Sequence, residues 1–78
     1  MLDLQAELHH LAAAQRQVRD AEVRIAQLDQ LIAYASSIGE STASAQGVRD
    51  TMRDVLDCFV SHRDAIVRAL KLIRAGRL

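Results

Sequence analysis

The segment Ser36-Ser37-Ile38-Gly39-Glu40-Ser41-Thr42 separates two long runs of helix-forming residues. Gly39 suits the left-handed residue that follows a helix end, and Ser41, Thr42 or Ser44 can cap the next helix. The chain is therefore expected to fold back on itself here. Gly47 leaves the start of the second helix open, so the loop extends to about residue 46 in this reading.

On the N-terminal side, apolar residues recur every three and four positions from Leu2 to Ala35. With Leu4 as heptad position a, the a row is Leu4, Leu11, Val18, Ile25 and Ile32. The d row is Glu7, Ala14, Ala21, Leu28 and Ala35. On the C-terminal side the same period returns, with Ala45, Met52, Phe59, Ile66 and Ile73 at a and Val48, Val55, His62, Ala69 and Gly76 at d.

The two halves match as an antiparallel pair. Facing residues in such a pair have numbers with a constant sum, and here that sum is 80. It sets Ile32 against Val48, Ile25 against Val55, Val18 against His62 and Leu11 against Ala69. It also sets Leu28 against Met52, Ala21 against Phe59 and Ala14 against Ile66, so small residues meet large ones as close packing requires. The implied turn centre is residue 40, beside Gly39, and the two signals are independent. Asp29 with Arg49, Arg16 with Asp64 and Asp3 with Arg77 are expected as flanking charge pairs.

These patterns predict an all-α fold: one antiparallel two-helix hairpin, coiled-coil-like, over residues 1–78. Helix one is expected over about 2–37, the turn over about 38–44 and helix two over about 45–75. Composition agrees. The chain has no Pro, three Gly, one Phe and one Tyr, and is 50% apolar and 26% charged, too hydrophobic for a disordered chain.

Helix two is apolar beyond a single seam. Leu56, Val60, Val67 and Leu70 fall on its e and b positions, with Leu8, Ala12, Ala26 and Ala33 on the same flank of helix one. Arg49, Arg53, Arg63, Arg74 and Arg77 border that flank, and Arg19 joins from helix one. Asp50, Asp57 and Asp64 repeat on the outward f row. A lone hairpin would leave the flank wet, so two hairpins are expected to pair into a four-helix bundle, or another protein covers it. The partner or dimer flank is thus read as Leu8, Arg19, Arg49, Arg53, Leu56, Val60, Arg63, Val67, Leu70 and Arg74. An acidic, apolar surface or helix of another protein fits it.

Catalytic chemistry is sparse. Cys58 and His62 share a helix face, with Asp54 one turn before and Glu22 across the seam, which suggests zinc or a thiol nucleophile. A small packing role for Cys58 and a register-fixing, partly buried role for His62 are the simpler readings. His9 and His10 diverge by about 100° on a helix and form no ligand pair. His62-Arg63-Asp64 matches a kinase loop in letters alone, with no Gly-rich loop or Asp-Phe-Gly. No enzyme, metal or cofactor is expected.

Charge and apolar runs set further bounds. Ten basic and ten acidic residues balance, and the Asp row repels phosphate, which argues against nucleic acid. Lys71 is the one lysine among the ten basic residues, a preference for Arg that hints at a GC-rich bacterial or phage genome. No apolar run is long enough to cross a membrane, and Met1 to Gln5 shows no basic cap before an apolar run. With one Cys, a reducing cytoplasm is the expected setting. The function expected is a small protein-interaction module, an adaptor, co-chaperone or inhibitor. A self-assembling coiled-coil scaffold is the alternative.

Overall fold

The structure, a computed structural model, describes residues 3–77. It is a hairpin of two helices, α1 (Leu4–Ser37) and α2 (Ala43–Arg74), packed along a shared seam. The expected helix start near Leu2 lies outside the described residues. Asp3 caps α1: its carboxylate Oδ1 accepts from the Gln5 N–H at 3.1 Å, and its carbonyl accepts from the Glu7 N–H at 2.9 Å.

The same device ends both helices. Gly39 has φ of 77°, and its N–H donates to the Ser36 carbonyl at 3.1 Å. The Glu40 N–H reaches the Ala35 carbonyl at 2.9 Å, which completes a Schellman cap. Gly76 has φ of 71°, with Gly76 to Ile73 at 3.0 Å and Arg77 to Leu72 at 2.9 Å. The turn thus sits where the numbering of facing pairs places it.

Helix α2 starts at Ala43, earlier than a loop running to residue 46. Gly47 lies inside the helix at negative φ, because one exposed glycine costs only about 1 kcal/mol relative to alanine. Thr42 precedes the helix, but its Oγ1 accepts from the Gln46 side-chain amide at 2.7 Å and from no backbone N–H.

Packing follows the a and d rows on α1. Glu7, Ala14, Val18 and Ala21 are buried there, with Leu11, Ile25, Leu28, Ile32 and Ala35 half-buried. On α2 the a row also faces inward: Ile66 is buried, and Ala45, Met52, Phe59 and Ile73 are half-buried. Ala14, Ile66 and Leu70 form a buried cluster, with Leu11 packed against it.

The second row of α2 differs from the expected one. Val48 and His62 are exposed and Val55 and Ala69 half-buried, while Arg49, Leu56 and Arg63 are also half-buried and Leu70 is only 5% exposed. The helix is therefore turned toward its e row, which joins what is left of the d row, Val55 and Ala69, at the seam. The cause is volume: the α1 d row is mostly alanine, and Leu56 and Leu70 fill its gaps better than His62 and Ala69. Burying Leu70 contributes up to about 1.5–3 kcal/mol. Arg49 and Arg63 lay their stems along the seam and keep their heads at the water. His62 therefore does not oppose Val18, and no buried histidine fixes the register.

Of the expected charge pairs, Asp29–Arg49 is present at 3.3 Å. Asp64 instead meets its neighbour Arg63 at 3.2 Å, and Asp3 is taken up by its capping role. Among the described residues neither Arg16 nor Arg77 forms an ion pair.

Candidate interaction surface

A two-helix seam leaves two long sides, flanking the contact. One carries the e and b positions of both helices; the other carries the g and c positions. The rotation of α2 toward its e row closes the first side and opens the second.

On the e and b side, the residues of the sequence-derived flank divide into three sets. Leu70 is a core residue, so it belongs to the hairpin interior and not to the flank. Leu56, Val60, Val67, Arg49 and Arg63 are half-buried against α1. Leu8, Arg19, Arg53 and Arg74 are exposed. Two of the arginines already have partners: Arg49 lies between Asp29 at 3.3 Å and Asp50 at 3.4 Å, and Arg63 holds Asp64. Arg19, Arg53 and Arg74 form no ion pair among the described residues. What remains is a narrow strip of Arg53, Val60, Val67 and Arg74 on α2 with Leu8 and Arg19 on α1, without Leu70 and with less free charge than the sequence suggested.

The g and c side holds the larger apolar surface. Leu31 is 54% exposed, Tyr34 65% and Ile38 52%, all near the turn end of α1, and Val48 of α2 is exposed close by. A shallow groove runs along this side. Leu28, Leu31 and Val48 line its turn end with Arg24 and Gln27. Ala21, Met52 and Phe59 line its middle with Gln17, Asp20 and Arg24. A branch toward α2 passes Ser44, Gly47 and Thr51. The shared residues Arg24, Val48 and Met52 join these clefts into one feature.

The sequence contained the signal for this side. Leu31 is a g position of α1 and Tyr34 a c position, and Ile38, the residue just past the helix end, continues the g row, so none belongs to the a and d rows that the seam uses. Large apolar side chains there have no partner within one hairpin.

Polar chemistry on the surface is dispersed. Cys58, His62 and Asp54 are exposed on α2, and Glu22 is exposed on α1. Among the described residues, no three His, Cys, Asp or Glu side chains gather where they would hold a metal ion. Glu7 is 8% exposed near the open end, with His10 Nδ1 at 3.4 Å from its Oε1. Among the described residues, no helix is long and apolar enough to cross a membrane. No protein-family model, curated protein or solved structure matches the chain.

Proposed function

We propose that the chain is a small cytoplasmic protein-interaction module, an adaptor, co-chaperone or inhibitor that acts by covering, and being covered by, other protein surface. The observation that carries this reading is the exposure of Leu31, Tyr34, Ile38 and Val48 on one side of a hairpin that buries few large residues. Contiguous apolar side chains of this size are characteristic of contact surfaces. The opposite side supports the reading differently. Arg53 and Arg74, beside half-buried Val60 and Val67, offer an apolar strip with charged ends suited to an acidic helix or groove. The reading gives the chain no catalytic step, because its grooves are shallow and its Cys, His and carboxylates stand apart.

A self-assembling scaffold whose partner is its own copy is the second reading. It draws support from the pattern of exposed residues along α1, treated below.

The test is recovery of a tagged chain from its host extract, compared with an Arg53→Glu/Arg74→Glu variant. A second protein recovered in fixed ratio with the wild type and lost with the variant supports the adaptor reading. Recovery of only the chain and its own copies favours the scaffold.

A further inference from the structure

We infer that the g and c side of the hairpin takes a second copy of this chain, antiparallel, about a two-fold axis that crosses α1 at residue 22 and α2 at Cys58. This deepens the interaction-module reading and rests on it.

The first argument is the order of residues along α1. On the g and c side they run Ala6, His10, Ala13, Gln17, Asp20, Arg24, Gln27, Leu31, Tyr34 and Ile38. The large apolar members cluster at the turn end, and the small ones, half-buried Ala6 and Ala13, sit at the open end. Turning a second copy end for end brings together residues whose numbers add to 44. Leu31 then meets Ala13 of the second copy, Ile38 meets Ala6, and Tyr34 meets His10. Gln17 meets Gln27, an amide pair. At the centre Asp20 meets Arg24, and symmetry repeats that ion pair across the axis.

Neighbouring registers fail. Moving by one heptad one way sets Asp20 against Leu31; moving the other way sets Tyr34 against Asp3, leaves Ile38 uncovered and sets Arg24 against Ala13. Along α1 the register centred on residue 22 satisfies size and charge together. Neither Asp20 nor Arg24 is engaged in an ion pair within the described residues of one chain, so both are available.

The second argument comes from α2. Within the hairpin, facing residues add to about 80, as the Ala14–Ile66 cluster and the cleft shared by Ala21 and Phe59 reflect. Residue 22 is therefore level with residue 58, and an axis through one passes the other. On the groove side of α2, Cys58 then faces its own counterpart, and Thr51 faces Ala65. Asp54 comes opposite His62, a second acid–base match. Cys58, Thr51 and Ala65 are small, which lets the two α2 helices approach near the axis, while Arg68 comes opposite Val48 farther out. The hairpin is 59 Å long and 15 Å across, so the face it can offer is of the same order as the roughly 800 Å² each partner contributes to a standard interface.

The test uses the full chain and its native cysteine. Mild oxidation, or a short bis-maleimide, should convert the wild type to a covalent dimer through Cys58. Moving the thiol to the outward face, as Asp57→Cys in a Cys58→Ser background, should cut the yield by about tenfold. Asp20→Arg places Arg against Arg and should weaken association by about tenfold, whereas adding Arg24→Asp should restore it. Circular dichroism checks that these exposed substitutions leave the helices intact. Equal crosslinking from residues 57 and 58, or no recovery in the double variant, overturns the proposal. A wild-type monomer that holds a different protein in fixed ratio also overturns it but leaves the interaction-module reading standing. A monomer that captures nothing removes both.

Discussion

Leu70→Ala and His62→Ala, compared side by side, decide which row of α2 faces α1. Leu70 is 5% exposed and packs with Ile66, Ala14 and Leu11, whereas His62 lies at the surface. Truncating leucine to alanine removes three carbon groups at about 0.8 kcal/mol each, so the transfer loss is roughly 2–3 kcal/mol. A cavity term adds to this, but a two-helix seam is open at its sides. Ile66 and Leu11 can close on the gap, which holds the total to the lower part of the usual 2–5 kcal/mol range. Stability of about 0.05–0.15 kcal/mol per residue gives a 78-residue chain roughly 4–12 kcal/mol. Leu70→Ala should thus remove a substantial fraction of it. His62→Ala should change it by less than about 0.5 kcal/mol. Urea unfolding followed by far-UV circular dichroism reads both, at one fixed protein concentration because self-association shifts apparent stability. If His62→Ala costs as much as Leu70→Ala, the rotation of α2 described above is wrong.

Glu7→Leu should stabilise the hairpin. The carboxylate occupies a buried d position, and its polar neighbour is the exposed His10, whose Nδ1 lies 3.4 Å away. The added apolar burial outweighs the loss of that weak pair and of a favourable charge in the first helical turn, for a net gain near 1 kcal/mol. A lowered urea midpoint would show that the carboxylate supports the fold. Two glycine substitutions should have opposite signs. Gly39→Ala forces a left-handed φ on alanine and should cost about 1–2 kcal/mol, while Gly47→Ala improves an open helical site by about 0.5–1 kcal/mol. Thermal melts that move the same way for both would contradict these conformations.

The hairpin was legible because two unrelated features met at one place. Gly39 offered a helix stop, and the volumes of the two apolar rows independently put the turn at residue 40. Both depend on local chemistry and on a period that helices obey closely. The second inward row of α2 was not legible in the same way. Val48, Val55, His62 and Ala69 lie one residue from Arg49, Leu56, Arg63 and Leu70, and both rows contain apolar members. A heptad pattern counts hydrophobic positions and is blind to their volumes. The alanine row of α1 made that volume decisive, and arginine stems proved better seam borders than a histidine ring.

The same rotation explains the fate of the candidate surface. The heptad pattern places Leu70 on an exposed flank, yet it fills the core, and the Arg-bordered side is correspondingly smaller. The larger apolar side went unnoticed because Leu31, Tyr34 and Ile38 sit beside seam residues in the chain. Along the sequence they look like continuations of the core; around the helix axis they point away from it.

The most direct test of the central claim, that protein covers the exposed apolar side and that a second copy does so, is the mass of the purified chain in solution. Sedimentation equilibrium over a range of micromolar concentrations should give twice the 8.6 kDa of one chain, and Asp20→Arg should shift it toward the single-chain value. A mass of 8.6 kDa at every concentration, unchanged by that substitution, would contradict the account.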